Sequence, residues 1–248
     1  MTQTIIITGG TTGIGRATVE KFAQNGHNVI VTSRSAERGQ AFENEMKAKG
    51  YRVECRQVQI TDENQVEALI KDVVAKYGKL DVLINNAGIA GEPKYFAQTS
   101  KDNMRNMIEV NVMGVYYGMR YAILEMLKTG GGKIVNLASI AGLNGIPLAG
   151  EYAATKHAVV GMTRGAAVEY ATQNIRINAV APGAVLTEIL DDVIKSGAMT
   201  EADLGAIHPM KRPGKVEEIA NAIYFLASDE APFMTGVVLP VDGGFDAS

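Results

Sequence analysis

The chain has 248 residues, of which 46% are hydrophobic and 21% are charged, and a formal net charge of −3. These values predict a soluble globular protein, and the weak negative charge removes the electrostatic case for a nucleic-acid or membrane partner. A single cysteine, Cys55, cannot form an internal disulfide, and only three histidines are present, so we expect a reduced, cytoplasmic setting and no metal site.

Short apolar runs alternate with longer helical stretches along the chain. In chain order we predict a strand at 4–8, a helix at 14–25, a strand at 28–33, a helix at 35–49, a strand at 52–58, a helix after Asp62, a strand at 80–85, a helix at 101–128, a strand at 133–138, a helix at 152–172, a strand at 176–181, a helix at 215–228 and a strand at 237–241. The strands are apolar without alternation, as in sheets covered on both faces. This order predicts an α/β fold in one domain, 1–248, with a doubly wound, seven-stranded parallel sheet.

Local sequence signals indicate where two helices begin. Asp62 is a predicted helix cap, with Gln65 three residues on as its capping-box partner. The stretch 184–213 has no predicted strand and contains several glycines and prolines, so we expect a substrate lid of short helices there. Thr200 and Asp203 have the spacing of a capping box that starts one of them.

The first strand runs into a helix through the glycine-rich turn Thr-Gly-Gly-Thr-Thr-Gly-Ile-Gly at 8–15. Glycines at a strand-to-helix turn let the backbone approach a phosphate and direct a helix N-terminus at it. The spacing is neither G-x-G-x-x-G nor that of a P-loop, and glycines that serve packing alone are the alternative.

The end of the second strand carries Ser33-Arg34 and has no acid before Glu37. Domains that bind NAD usually place an acid there for the ribose 2′-hydroxyl, whereas a guanidinium and a hydroxyl suit a 2′-phosphate. We therefore predict a preference for NADP(H) over NAD(H), with an ordinary solvated arginine as the alternative.

Tyr152 and Lys156 are four residues apart on a predicted helix, and Ser139 lies thirteen residues before the tyrosine. Side chains at i and i+4 share a helix face, so the ammonium is expected to lower the pKa of the phenol toward working pH. With a hydroxyl donor brought in from elsewhere, the pair would form a site for moving a proton to or from an oxygen. A chance pair on an amphipathic helix is the alternative.

Several motifs in the same order make the chain resemble the short-chain dehydrogenase/reductase family over nearly its full length. The family's T-G-x-x-x-G-x-G turn matches Thr8, Gly9, Gly13 and Gly15, and its N-N-A-G motif matches Asn85 to Gly88. Its helical asparagine matches Asn111, its serine matches Ser139, and its Y-x-x-x-K motif matches Tyr152 and Lys156. Its P-G-x-x-x-T motif matches Pro182, Gly183 and Thr187. The resemblance implies a single Rossmann-type domain and an NAD(P)-dependent oxidoreductase that acts on alcohol or carbonyl groups.

The resemblance also implies four catalytic residues. Tyr152 would be the general acid in reduction and the base in oxidation, and Lys156 would lower its pKa and bond the nicotinamide ribose. Ser139 would hold the substrate oxygen, and Asn111 would support a water chain that reprotonates the site through Lys156.

The cofactor would be held by residues from every segment that ends at the same edge of the sheet. The implied set is Gly9, Thr12, Gly13, Ile14, Gly15, Ser33, Arg34, Gln59, Ile60, Asn86, Ala87, Gly88, Tyr152, Lys156, Pro182, Gly183, Val185 and Thr187. The chain departs from the family pattern at Gln59, where members often have an acid, and in lacking a basic residue before Gly13. Arg34 would then carry most of the NADP preference alone.

The substrate wall is expected to be largely apolar. It would include Leu143, Ile146, Leu148, Leu190, Ile194 and Met210, which suits a ketone, an aldehyde or a secondary alcohol with hydrophobic substituents; packing of the lid explains several of them equally well. Glu151, directly before Tyr152, is expected to be exposed rather than to stabilise the helix start.

The leading interpretation is an NADP(H)-dependent carbonyl reductase or alcohol dehydrogenase that forms a homotetramer or homodimer. A 3-oxoacyl-thioester reductase of fatty-acid synthesis is the alternative within the same class. A catalytically inactive NADP-sensing regulator is the alternative from another class, and the intact set Asn111, Ser139, Tyr152 and Lys156 argues against it.

Overall fold

The computed structural model describes residues 2–187 and 200–248. Seven strands form one parallel sheet in the order β3-β2-β1-β4-β5-β6-β7. They are β1 Thr4–Ile7, β2 Asn28–Ser33, β3 Val53–Gln57, β4 Val82–Asn85, β5 Gly132–Leu137, β6 Ile175–Pro182 and β7 Val238–Val241. Their bounds lie within two residues of the predicted ones, so the predicted doubly wound parallel sheet is confirmed.

Helices cover both faces of the sheet. Those in the described part of the chain are α1 Gly13–Gln24, α2 Ala36–Ala48, α3 Glu63–Tyr77, α4 Lys101–Met107, α5 Gly114–Thr129, α6 Gly150–Tyr170, α7 Glu201–Ala206 and α8 Val216–Ala227. Two buried apolar clusters result, because side chains alternate along each strand: Ile6 belongs to the cluster under α3, α5 and α6, whereas Ile5 and Ile7 belong to the cluster under α1, α2 and α8. None of the described helices is long and apolar enough to cross a membrane.

The predicted helix 101–128 is not one continuous α-helix. Residues Ile108–Met113 form a π-helix between α4 and α5. A π-turn inserts an extra residue into the helical repeat and often marks a functional position, and periodicity over a long helix cannot reveal it. Asn111, which is fully buried, lies inside this turn.

One predicted capping box is present and the other is incomplete. At α7 the Thr200 hydroxyl accepts from Asp203 N at 3.1 Å, and Asp203 Oδ2 accepts from Thr200 N at 2.9 Å. At α3 the Asp62 carboxylate accepts from Gln65 N at 3.2 Å as predicted, but Gln65 Oε1 accepts from Gln59 N at 2.9 Å instead of reaching back to Asp62 N. The predicted lid positions Leu190 and Ile194 lie outside the described residues.

Candidate active site

Ser139 directly follows β5 and begins a short 3-10 turn, Ile140–Gly142. Its hydroxyl oxygen accepts from Ala141 N at 3.1 Å, which holds the side chain at the carboxyl edge of the sheet. In open parallel sheets this edge is where ligands bind, so the hydroxyl lies where a substrate oxygen is expected.

Tyr152 and Lys156 lie on the first two turns of α6. The Lys156 ammonium donates to the Leu137 carbonyl oxygen at 2.7 Å, and its Nζ atom lies 5.6 Å from the centroid of the Tyr152 ring. The carbonyl belongs to the last residue of β5, two residues before Ser139. The end of β5 and the start of α6 therefore bring the three predicted proton-transfer residues together.

The expected effect of Lys156 on the pKa of Tyr152 does not appear in the folded chain. Burial raises the pKa of the Tyr152 phenol, and a hydrogen bond with Ser139 offsets only part of that rise. Burial also lowers the pKa of Lys156 to about 8. The sequence-based expectation considered only the nearby charge, whereas removal from water disfavours both the phenolate and the ammonium.

Three hydrogen bonds fix the side chain of Asn111. Its Oδ1 accepts from Ile89 N at 2.8 Å, and its Nδ2 donates to the Ile89 carbonyl at 2.8 Å and to Thr155 Oγ1 at 3.1 Å. A Cβ added at Gly88 would lie 3.2 Å from Asn111 Oδ1 and 3.6 Å from Lys156 Nζ. A side chain at position 88 would therefore contact both predicted catalytic side chains, which favours glycine there.

Thr155 is a positioning residue that the sequence analysis missed. Its hydroxyl donates to the Tyr152 carbonyl oxygen at 2.8 Å and accepts from Asn111, so it connects the tyrosine's helix to the π-turn. The only signal in the sequence is a small polar residue directly before Lys156, which is too common to be recognised alone.

The glycine turn exposes a helix N-terminus toward the carboxyl edge of the sheet. Thr12, at the N-cap of α1, makes no side-chain cap bond, and Arg16 N is the first amide bonded to its carbonyl. Among the described residues, a Cβ added at Gly13 would meet the side chain of Thr187 alone, at 3.5 Å. This arrangement of free amides with a glycine-lined approach fits the pyrophosphate of a dinucleotide.

Asn86 connects the glycine turn to β4. Its Nδ2 donates to the carbonyl oxygens of Thr8 and Gly9, both at 2.9 Å, and the Thr8 hydroxyl accepts from Asn86 N and Ala87 N. The partners of Asn86 thus lie about 78 residues away in the sequence, and its side chain stabilises the glycine turn rather than its own loop. Asn85 points into the core instead and donates to Asn136 Oδ1 at 2.8 Å.

At the end of β2, only one of the two predicted phosphate-binding side chains is free. Ser33 is buried, and its hydroxyl donates to the Ser35 carbonyl at 3.0 Å. Arg34 is exposed and forms no ion pair within the described ranges 2–187 and 200–248. It directly precedes Ser35, the N-cap of α2.

The remaining predicted cofactor residues lie at the same edge. After β3, Gln59 is exposed and Ile60 is buried against Gly114 of α5. After β6, Gly183 N donates to the Val241 carbonyl at 3.1 Å, and Val185 pairs with Gly214 in an isolated parallel bridge. The buried ring of His208 accepts from Ala184 N at 3.1 Å, which stabilises this loop and was not anticipated.

A cleft next to Tyr152 has partly apolar walls. It is lined by Ala90, Glu92, Thr99, Met107, Leu148, Ala149, Gly150, Glu151 and Tyr152. Of the predicted wall, Leu148 lies here in a left-handed conformation with φ of 63°, while Leu143 packs against the core and Met210 is exposed. A left-handed non-glycine residue is strained and is often found at functional sites.

Glu151 is not exposed, contrary to expectation. Only 6% of its surface is accessible, and its Oε2 accepts from Asn103 Nδ2 at 2.6 Å. The prediction failed because α4 packs over the start of α6, which nothing in the local sequence indicates. Among the described residues, no cluster of His, Cys, Asp and Glu has the arrangement of a metal site.

Comparison with known proteins gives consistent results. Residues 9–246 match the family model described as Enoyl-(Acyl carrier protein) reductase. The chain is 43% identical to 2,5-dichloro-2,5-cyclohexadiene-1,4-diol dehydrogenase of Sphingobium indicum, over 99% of this chain and 97% of that protein. It is 38% identical to a 3-oxoacyl-(acyl-carrier-protein) reductase of Staphylococcus aureus, over 98% of both chains.

Among solved structures, the fold is very similar to that of ElxO with NADP bound. The TM-score is 0.97, with 42% identity over the full length of both chains. The Y152F form of ElxO with NADPH bound gives the same TM-score at 41% identity.

Proposed function

Because this chain belongs to the short-chain dehydrogenase/reductase family, we propose that it moves a hydride between NADP(H) and a ketone or aldehyde, or the matching secondary alcohol. That it is an oxidoreductase acting on alcohol or carbonyl groups follows from its dehydrogenase and reductase relatives. The observation that carries the proposal is the convergence of Ser139, Tyr152 and Lys156 where β5 ends and α6 begins.

In this proposal Tyr152 transfers the proton. Burial raises the pKa of its phenol, so the group stays protonated near neutral pH and is ready to donate to a carbonyl oxygen during reduction. The Ser139 hydroxyl donates a hydrogen bond to the same oxygen as negative charge develops on it. In oxidation Tyr152 accepts the alcohol proton instead.

Lys156 and Asn111 would support this proton transfer. With a pKa of about 8, Lys156 is mostly charged at neutral pH, and the ammonium beside the ring favours phenolate whenever the proton leaves. Asn111 is held by Ile89 and Thr155 next to Lys156, a position that suits a water-mediated path for reprotonation.

The cofactor supplies or accepts the hydride when it is bound. The free amides at Gly13, Ile14 and Gly15 would hold its pyrophosphate, with Gly9 and Thr12 shaping the turn. Gln59, Ile60, Asn86, Ala87 and Gly88 would line its adenosine side. Pro182, Gly183, Val185 and Thr187 would line its nicotinamide side, and Tyr152 and Lys156 would adjoin its ribose.

The preference for NADP(H) is proposed to depend on Arg34. Replacing Arg34 by Leu is expected to raise the KM for NADPH about 10- to 100-fold and to leave the KM for NADH nearly unchanged, because a charge-assisted hydrogen bond to phosphate contributes about 1.5–3 kcal/mol. Steady-state kinetics with both cofactors would measure this. Arg38→Leu, an exposed arginine one turn into α2, is the matched control. Equal KM changes for the two cofactors would contradict the assignment.

One sheet carries both the glycine turn and the Tyr152 site, which supports a single domain at 1–248. We propose 184–213 as its substrate lid, and an unchanged rate of proteolysis in this segment on adding NADPH would contradict that.

Exposed apolar side chains on α5 and α6, among them Leu124, Leu127 and Val168, support a homotetramer or homodimer. A solution mass near 26.4 kDa would reject assembly.

The substrate class is open to a direct test. The identity to the dienediol dehydrogenase favours a cyclic secondary alcohol or its ketone, and the Staphylococcus relative favours a 3-oxoacyl thioester as the second candidate. An NADPH-oxidation screen across ring ketones, aldehydes and acetoacetyl thioesters, with NADH in parallel, separates them. No Tyr152-dependent turnover of any compound would instead favour a cofactor-sensing regulator.

A further inference from the structure

Glu151 places a buried carboxylate in the wall of the cleft beside the proposed proton donor. It lies one residue before Tyr152, is 6% exposed, and lines the same cleft as Tyr152, Ala90 and Met107. An ionised carboxylate loses much of its hydration on burial, so such groups are normally paired with a cation or fully hydrogen-bonded.

The protein supplies only part of that compensation. Asn103 Nδ2 donates to Oε2 at 2.6 Å, and this is the only side-chain hydrogen bond to Glu151 in the part of the chain that the structure describes. Within the same residues no Lys, Arg or His forms an ion pair with it. The other oxygen, Oε1, accepts no hydrogen bond from any of the residues that the structure describes.

The helix start does not by itself account for this arrangement. A carboxylate in the first turn of a helix is stabilised by the helix dipole even when it is exposed, so the dipole does not require Glu151 to be buried. Glu92, in the same cleft, shows the usual solution: its side chain is 60% exposed and pairs with Lys94 at 2.5 Å. Glu151 is instead buried in the wall of the cleft beside Tyr152, and one of its oxygens accepts no hydrogen bond from the described residues.

We propose that Glu151 is a specificity-determining residue that accepts a hydrogen bond from a donor group on the substrate, either a second hydroxyl or a protonated amine. The inference rests on the proposed function, because it assumes that the cleft beside Tyr152 holds the substrate. It predicts that compounds with a donor group are favoured, and that those with a carboxylate in its place are rejected by like-charge repulsion.

The test uses 3- and 4-substituted cyclohexanones in which the substituent is methyl, hydroxyl, ammonium or carboxylate. With the wild-type protein and NADPH, kcat/KM for the best hydroxyl or ammonium compound is expected to exceed that for its methyl analogue at least about tenfold, with the carboxylate compound lowest. The hydroxyl and ammonium arms decide which donor is preferred.

Glu151→Gln keeps the shape of the side chain but changes the group that faces the cleft. Because an amide has one oxygen, and Asn103 Nδ2 already donates there, the NH₂ group is left toward the substrate. In this variant the ratio of kcat/KM for the ammonium compound to kcat/KM for the methyl compound is expected to fall about tenfold. The kcat/KM for the carboxylate compound relative to the methyl compound is expected to rise. Glu169→Gln, which removes the same charge from an exposed position on the same helix outside the cleft, is the matched control and should leave both ratios within about twofold.

Failure of this inference and failure of the proposed function give different results. Ligand affinities measured on the Tyr152→Phe protein with NADPH report on Glu151 without any turnover, and the same series is repeated on the double variant with Glu151→Gln. If the relative affinities of the ammonium, hydroxyl and methyl compounds do not depend on Glu151, or none of them binds, the inference is overturned. Absence of Tyr152-dependent turnover overturns the proposed function alone.

Discussion

Replacing Tyr152 by Phe is expected to lower kcat for NADPH-dependent carbonyl reduction by about 10²- to 10⁴-fold, the range for loss of a general acid. The phenol on the first turn of α6 is the protonated group, and neither the Ser139 hydroxyl nor the Lys156 ammonium, which is held by the Leu137 carbonyl, is positioned as a substitute. The fold should be unaffected, because the hydrogen bond with Ser139 that the phenol loses lies within the site, and removal of the hydroxyl leaves the ring packing intact.

Binding and chemistry are separated by measuring two quantities on the same variant. NADPH fluorescence titration should give a dissociation constant within about threefold of the wild-type value, while the rate of NADPH oxidation falls. Tyr170→Phe is the matched control, since Tyr170 ends the same helix and packs against the core away from the cleft. Near-wild-type turnover in the Tyr152 variant would refute its role as the proton donor.

Replacing Gly15 by Ala is expected to damage both stability and cofactor binding. An added Cβ would lie 2.5 Å from Asn86 Nδ2 and closer still to the Gly9 carbonyl oxygen, so the backbone of the turn must move. Such overpacking costs about 1–3 kcal/mol of unfolding free energy. The same movement displaces the amides at the start of α1, so the dissociation constant for NADPH is expected to rise at least about tenfold.

The matched control is the same substitution where there is space. Gly165, on the exposed side of α6, has no atom within 4 Å of an added Cβ. Gly165→Ala should therefore raise the free energy of unfolding by about 0.5–1 kcal/mol through helix propensity and leave NADPH binding unchanged. Chemical denaturation and NADPH titration of both variants measure the contrast. A Gly15→Ala protein that binds NADPH as tightly as wild type would contradict the proposed cradle.

The strands and most helix ends were predictable because their causes are local. A run such as Ile5, Ile6 and Ile7 is apolar at every position, which indicates a strand covered on both faces wherever it occurs. Ser139, Tyr152 and Lys156 were also identifiable from spacing and motif order, since a helix of regular pitch brings residues four apart to one face. What the sequence determined by itself was thus the parallel α/β sheet, the glycine turn at its edge and the residues that meet there.

Tertiary packing alone decided the electrostatics and the less regular parts of the site. The pKa of Tyr152 rises because burial outweighs the hydrogen bond with Ser139, and the amount of burial depends on elements distant in sequence. Asn111 bonds Ile89 and Thr155 from a π-turn that interrupts a helix with no local breaker, and Glu151 is enclosed because α4 packs over the start of α6. Desolvation and long-range contacts are properties of the assembled chain, and therefore residue identity and spacing could not reveal them.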